Sequence, residues 1–252
     1  MNPLERSLIE KAGYANGWEN VRENSPERVA LFSSRHAAEA IVSTPESKPS
    51  LWRVVFPNGP QAGELARGFT EVRQPDDSFL AEGEAALGRL LRRAAELAMS
   101  LPNHAARLFA EEVQKLDAKG LEGTEALRLV KQRIGQNLYR QALLEYWGGA
   151  CALTGLAIPA LLRASHAKPW ADCESDDERL NVFNGFLLSA HFDALFDAGF
   201  ITFTDEGHLL HSSKLTEHEA VILGLDSPTA LRWISPRHLP FLEWHRNVVF
   251  QE

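Results

Sequence analysis

Cysteine is scarce in this chain, since Cys151 and Cys173 are the only two among 252 residues. Two thiols cannot build a disulfide framework, and they cannot by themselves supply the four ligands of a structural zinc site. We expect both to be reduced and partly buried. No apolar run reaches the roughly 18 residues of a membrane-spanning helix, and glutamates recur where a secretory signal needs an apolar stretch. The sequence therefore predicts a cytoplasmic protein that does not enter a membrane.

Net positive charge is lacking as well, because 26 Lys and Arg face 34 Asp and Glu, for a formal charge of -8. This balance argues against a protein that coats nucleic acid through overall basicity. The signs are unevenly distributed, however: residues 128–170 carry six positive side chains and one negative, and an acidic cluster follows at residues 172–178. The basic stretch could hold a phosphate backbone and the carboxylates a cation, or each run could be a solvated surface.

Hydrophobic patterning predicts an α+β chain with two domains. Strand-like runs at residues 28–32 and 51–56 lie in a mixed first segment that carries no chemical motif. Leucine and alanine at helical spacing predict an amphipathic helix over residues 82–100, and a second helix follows at 105–116. Residues 117–123 contain two glycines and several charges and indicate a linker. We therefore predict an N-terminal α+β domain over residues 1–120 and a second domain over residues 121–252.

The second domain begins with a predicted helix from residue 124 to 147, ended by Gly148 and Gly149. A turn-like connection at 151–155 leads to an apolar run over 160–167, and a polar loop at 172–181 leads to a short strand at 186–188. A short helix over 190–197, a β-hairpin over 199–212 and a closing helix over 236–249 complete the prediction. The order of strand, loop, strand and helix indicates a small platform for a site.

His166 and Asn184 are candidates for proton transfer in that platform. Cleavage of a phosphodiester needs an activated water and a cation that neutralises charge on the phosphate. A neutral imidazole accepts a proton near physiological pH, and the end of a strand would fix the direction of His166. The amide of Asn184 could hold the imidazole in one orientation, or its oxygen could ligate a hard cation. Alternatively, Asn184 is a turn-former before a glycine.

The short helix supplies candidate metal ligands. Residues four apart share a helix face, so Asp193 and Asp197 lie together, whereas His191 lies about 200° around the axis from Asp193. Asp193 is the preferred ligand. Asp197 is either a second ligand or an acceptor that orients the ligands, and His191 is a weaker candidate, with a surface position as the alternative.

Several motifs in fixed order resemble the HNH endonuclease family, in a bacterial restriction-like branch. The blocks that carry the resemblance are Cys151-Ala-Leu-Thr-Gly155, Ala164-Ser-His-Ala-Lys-Pro-Trp170, Asn184-Gly-Phe-Leu-Leu188, and Asp193-Ala-Leu-Phe-Asp197 with Gly199-Phe-Ile-Thr202. The flanks Arg133-Ile-Gly-Gln-Asn-Leu-Tyr-Arg140 and Glu243-Trp-His-Arg246 are similar to those of bacterial members. The resemblance implies a ββα-metal nuclease domain with its core at residues 151–204 and helical flanks. It implies that His166 is the general base, Asn184 the middle Asn, and Asp193 the metal ligand in the place of the last His or Asn.

This chain departs from the family pattern at three positions. The paired cysteines that hold a structural zinc in many relatives are missing, so no structural zinc is expected. Ser165 stands directly before the base, where many relatives have an Asp or His ligand. Asp193 places a carboxylate where many have a final His. Together these changes favour a largely hydrated Mg²⁺ or Mn²⁺, completed by substrate phosphate.

The leading hypothesis is therefore a metal-dependent DNA endonuclease that leaves a 5′-phosphate, as the family implies, with residues 1–120 selecting the target in restriction of foreign DNA. Four positive residues are predicted to hold the DNA backbone: Arg133, Arg140, Arg163 and Lys168. One site per chain must pair or act twice to break both strands, and pairing would make a homodimer. The alternatives are a DNA-binding module that has lost turnover, favoured by Ser165, and an RNA-directed or toxin-like nuclease.

Overall fold

A computed structural model describes residues 1–45, 51–57, 61–101, 104–117, 125–227 and 229–252. The chain is α+β, as predicted, and forms two compact units, Met1–Pro102 and Asn103–Glu252. The predicted linker covers residues 117–123, of which the structure describes only Asp117. Within those ranges, no helix is both long enough and apolar enough to cross a membrane.

The first unit consists of an antiparallel sheet and helices that pack on it. The predicted runs at residues 28–32 and 51–56 are confirmed as β2 (Arg28–Phe32) and β4 (Leu51–Val55), and the amphipathic helix is confirmed as α3 (Gly83–Ser100). Helix α1 begins at a capping box in which Asn2 and Glu5 satisfy each other's backbone N–H groups. The elements are α1 (Pro3–Ala15), β1 (Asn20–Asn24), β2 (Arg28–Phe32), β3 (Glu39–Ser43), β4 (Leu51–Val55), α2 (Gln61–Gly68), β5 (Phe79–Glu82) and α3 (Gly83–Ser100).

The core of this unit lies between the sheet and α3. Strands β1 to β5 pair in sequence order, and their register aligns Val29, Val42, Val54 and Phe79 in one fully buried row. Alternation along each strand therefore gives the sheet an apolar face. Helix α3 buries the leucines and alanines whose spacing predicted it: Leu87, Leu90, Leu91, Ala94, Ala95, Leu97 and Ala98.

The second unit starts earlier than the predicted boundary at residues 120 and 121. Helix α4 (His104–Asp117) packs against α5 (Glu125–Tyr146) and so belongs to this unit. Helix α5 ends one residue before its predicted end, just ahead of Gly148 and Gly149, which both have positive φ. The elements are α4 (His104–Asp117), α5 (Glu125–Tyr146), β6 (Leu162–His166), α6 (Asp176–Arg179), β7 (Gly185–Ser189), α7 (Ala190–Asp197), β8 (Ile201–Phe203), β9 (Leu209–His211), α8 (Glu217–Ile222) and α9 (Leu239–Val248).

Strands β6 and β7 form an antiparallel pair that carries the candidate residues. His166 pairs with Gly185 at the open end, α7 packs on β6, and α5 packs on both strands. Gly185 has φ of 154°, and a Cβ there would lie 2.0 Å from the Ser165 carbonyl oxygen and 2.3 Å from the Tyr139 hydroxyl. Only glycine fits this approach. The strand, loop, strand and helix order predicted from the sequence is thus confirmed.

Candidate active site

His166 ends β6 with its ring held on two sides. The imidazole stacks on Tyr139, with 3.8 Å between centroids, and meets the edge of Trp170 at 5.9 Å. Its Nε2 lies 2.8 Å from the carbonyl oxygen of Arg179. Because a carbonyl only accepts hydrogen bonds, Nε2 carries the proton of the neutral ring and Nδ1 keeps its lone pair. Burial lowers the pKa of His166 to about 4, against the opposing effect of the Arg179 carbonyl. The ring is therefore neutral at physiological pH.

A cavity of about 340 Å³ lies beside this ring. Helix α7 contributes Asp197 to its wall, and α9 contributes His245. The remaining lining residues are Ala164, Pro169, Trp170 and Val249. The candidate base and one of the two candidate carboxylates thus border the same space.

Asp193 and Asp197 lie close together on α7. The Ser165 hydroxyl donates to Asp193 Oδ1 at 2.5 Å. Loss of solvation, and then the charge of Asp193, raise the pKa of the Asp197 carboxyl to about 6. Two carboxylates and a hydroxyl are hard oxygen donors, which suit a divalent cation that keeps several waters. In the described part of the chain, no three His, Cys, Asp or Glu side chains converge as a metal cage would require.

The structure places His191 apart from this carboxylate pair. Its ring is exposed, and Nε2 lies 2.9 Å from the carbonyl oxygen of Leu223, just after α8. The physical reason is the position of His191 on the helix, about 200° around the axis from Asp193. The weaker metal-ligand prediction for His191 therefore finds no support in the geometry.

Neither predicted role of the Asn184 side chain matches its contacts. Asn184 is fully buried, and its Oδ1 accepts the backbone N–H of Lys168 at 2.8 Å. Its Nδ2 lies 3.1 Å and 3.2 Å from the carbonyl oxygens of Lys168 and Glu178, and 3.3 Å from Cys173 Sγ. The polar atoms of its side chain are therefore engaged by the loop between β6 and β7, and none of them contacts His166. The correction is that Asn184 clamps the loop whose Arg179 carbonyl positions the imidazole.

Arg179 is a positioning residue that the sequence reasoning did not single out. Its Nε donates to the carbonyl oxygen of Trp170 at 3.1 Å, Nη2 donates to the carbonyl of Cys173, and Nη1 pairs with Asp176 at 3.0 Å. These bonds fix the same loop from a second side. The available signal was a single arginine that directly follows an acidic run.

Two aromatic residues in the flanks also support the site. The Tyr139 hydroxyl donates to the Asn184 carbonyl at 2.8 Å, and the Tyr139 ring stacks on the imidazole of His166. His245 stacks on Phe196 at 3.9 Å and bonds the Phe196 carbonyl and the Thr202 hydroxyl. Burial lowers the pKa of His245 to about 4. Both residues lie in the flanking blocks, but their partners are distant in sequence.

The four residues predicted to contact DNA differ in how their charged groups are used. Arg140 donates to the carbonyls of residues 159 and 162, and Arg163 donates to those of 160 and 162. Lys168 pairs with Glu178 at 2.8 Å, and only 11% of its side chain is exposed. Arg133 is exposed and bonds no other residue that the structure describes. Arg133 and the exposed Arg163 are thus best placed to reach a phosphate, and Lys168 belongs to the loop.

The two thiols are free and buried, as predicted. Cys151 Sγ accepts the backbone N–H groups of Thr154 and Ser189, and Cys173 lies under the amide of Asn184. They lie at different ends of the platform, in the turn before β6 and in the loop after it.

Comparison with known proteins agrees with this geometry. No curated protein matches the chain. A family model described as HNH endonuclease matches residues 151–204, which span the turn, β6, the clamped loop, β7, α7 and β8. The match has the same bounds as the core predicted from the sequence. Residues 151–204 therefore form a domain of the HNH endonuclease family, whose members have nuclease-type or DNA-binding functions.

Proposed function

We propose that this protein is a metal-dependent endonuclease that hydrolyses DNA phosphodiester bonds, with His166 as the general base. The observation that carries the proposal is the fixed tautomer of His166, whose Nε2–H is committed to the Arg179 carbonyl. Nδ1 is left to accept a proton, and the ring borders a cavity that Asp197 also lines. A base of defined direction beside a pair of carboxylates is what phosphodiester hydrolysis requires.

His166 acts on the attacking water in this mechanism. Nδ1 takes one proton from the water, the water oxygen forms the new bond to phosphorus, and the bond from phosphorus to the 3′-oxygen breaks. A 5′-phosphate remains on one fragment, and the 3′-oxygen takes a proton from solvent. The pKa of about 4 ensures that the ring is neutral before substrate binds. The negative charge of a bound phosphate raises that pKa, which brings the base nearer to the operating pH.

Asp193 and Asp197 would hold the divalent cation, with Mg²⁺ or Mn²⁺ as the best match to their oxygen ligands. Such a cation neutralises charge on the phosphate and on the departing oxygen. Ser165 keeps Asp193 in one orientation through its hydrogen bond. Asn184 and Arg179 hold the loop that orients the base.

The test is cleavage of supercoiled plasmid in Mg²⁺ or Mn²⁺, with EDTA as the metal-free control. His166→Ala should lower the rate by roughly 10²- to 10⁴-fold, the usual contribution of a general base, and Asp193→Asn should abolish metal-dependent cleavage. Matched controls are His218→Ala and Asp226→Asn, which change exposed residues of the same unit outside the cavity. Cleavage that survives His166→Ala would refute the assignment of the base.

A second candidate function is a DNA-binding module without turnover. The observation that favours it is that the Ser165 hydroxyl already donates to Asp193 Oδ1, one of the oxygens that a cation would bind. Duplex binding measured by fluorescence anisotropy, with no cleavage of modified or unmodified plasmid in either metal, would support this candidate over the enzyme. Cleavage of unmodified plasmid alone, or of modified plasmid alone, would support a restriction role. Sedimentation velocity with and without DNA tests the proposed homodimer.

A further inference from the structure

A groove of about 550 Å³ lies between α1 and α3 in the first unit, outside the HNH domain. Part of its lining consists of small residues of the two helices: Ala12, Ala15, Ala85 and Gly88. Its polar lining consists of Asn16, Glu84, Arg89, Arg92, Arg93 and Glu96. The small residues let a ligand come close to the helix backbones, and the polar residues determine which kind of ligand binds.

The two carboxylates of the groove are already neutralised. Lys11 pairs with Glu84 at 2.7 Å, and Arg93 pairs with Glu96 at 3.1 Å. Whatever binds the groove therefore meets the charge of the remaining arginines.

Arg89 and Arg92 supply that charge. Arg89 is exposed and makes no hydrogen bond or ion pair with a residue of the described ranges. Its helical neighbours three and four positions away are Ala85, Ala86, Arg92 and Arg93, so no carboxylate can reach it along α3. Arg92 donates Nε to Asn16 Oδ1 at 3.1 Å, and no carboxylate in the described ranges pairs with it. Like charges one helical turn apart repel each other, and a bound anion relieves that repulsion.

We propose that this groove binds a phosphodiester of the DNA backbone through Arg89 and Arg92. The identity of the anion as DNA rests on the proposed function of the HNH domain. A guanidinium matches the geometry of a phosphate with two parallel N–H donors, and the bond to Asn16 orients Arg92 for that contact. The carboxylates of the lining are paired, whereas Arg89 and Arg92 have no carboxylate partner among the described residues, so the groove favours an anion. A protein of net charge -8 must concentrate positive charge locally to hold one.

The test is anisotropy of a labelled DNA duplex with the full chain carrying His166→Ala, titrated over a range of salt concentrations in Mg²⁺. Arg89→Gln and Arg92→Gln are added singly and together. Each lost phosphate contact should reduce the slope of log K against log salt by about 0.9, which amounts to roughly eightfold weaker binding at 0.1 M salt. The matched control is Arg35→Gln, which removes an exposed arginine of the same unit outside the groove and should change binding less than twofold.

Folding is separated from binding by Arg89→Gln, because Arg89 loses no hydrogen bond to a described residue and its variant should unfold at the wild-type temperature. Wild-type affinity and slope in both single variants would overturn the proposal. An absence of DNA binding by the His166→Ala protein would also overturn it. So would arginine variants that no longer bind inorganic phosphate but bind the duplex as well as before. If the wild type never cleaves plasmid but the arginine variants lose duplex binding, the nuclease proposal fails and the groove stands. If the wild type cleaves plasmid and the arginine variants bind the duplex normally, the groove proposal fails and the nuclease proposal stands.

Discussion

Replacement of Asn184 by alanine tests whether this side chain acts through the loop. Its oxygen accepts one backbone hydrogen bond, and its two N–H hydrogens are shared among two carbonyls and a thiol. Three hydrogen bonds at about 1 kcal/mol each put the loss of unfolding free energy at about 3 kcal/mol, and the buried groups left without partners would add to it. The loop that carries the Arg179 carbonyl would also lose a clamp, so His166 would lose its fixed tautomer.

The assay is urea unfolding followed by tryptophan fluorescence, together with plasmid cleavage under conditions where the variant is folded. The matched control is Asn181→Ala in the same loop, which removes one hydrogen bond, to the backbone of Phe183, and should cost about 1 kcal/mol. Asn184→Ala should lose most of its cleavage in the folded state, whereas Asn181→Ala should keep it. A stability loss for Asn184→Ala no larger than that of the control, with cleavage retained, would refute the loop-clamp reasoning.

Two further predictions concern strand pairing and pH. Gly185→Ala should lower the melting temperature sharply and abolish cleavage, because its Cβ would lie 2.0 Å from the Ser165 carbonyl oxygen; a melting temperature equal to wild type contradicts this. His166 and His245 have pKa values of about 4 in the folded state and about 6.5 when unfolded, so the unfolded chain binds more protons between these values. Stability should fall as pH drops from 6.5 to 4, by roughly 1.4 kcal/mol per pH unit for each histidine. The raised pKa of Asp197 acts in the opposite direction and offsets part of this loss. Urea unfolding across this pH range measures the slope, and a flat profile would contradict the prediction.

Elements with strong local periodicity were predictable from the sequence. Helix α7 and strand β2 have the predicted bounds, α3 begins one residue later than predicted, and α5 is one residue shorter than predicted at each end. Helix α1 and strands β1 and β3 were not identified, because residues 1–45 mix short apolar groups with polar ones and the sheet register depends on pairing between strands. Helix α6 is a single helical turn within residues 172–181, which the sequence predicted only as a polar loop. Long-range pairing, rather than propensity, specifies these elements.

The candidate site was predictable as a set of residue types at fixed spacing. Asp193 and Asp197 share a helix face because they are four residues apart, and His166 lies at a strand end because an apolar run stops there. The roles of Asn184 and Arg179 could not be predicted in this way. Both side chains bond backbone atoms of a loop, and the sequence does not encode where those atoms lie. The roles of these two residues can therefore be assigned only once the structure shows which loop atoms their side chains bond.

The candidate base and the candidate metal ligands are held by separate contacts. Tyr139 and the Arg179 carbonyl position His166, whereas the Ser165 hydroxyl and α7 position Asp193. A change at the candidate metal ligands should therefore leave the base and its loop in place. Such a change would turn the proposed enzyme into a protein that binds DNA without cutting it. The hydrogen bond between Ser165 and Asp193 lies at these ligands, and a cation bound to Asp193 Oδ1 has to share that oxygen with the Ser165 hydroxyl. Whether Mg²⁺ or Mn²⁺ can do so decides between the two functions.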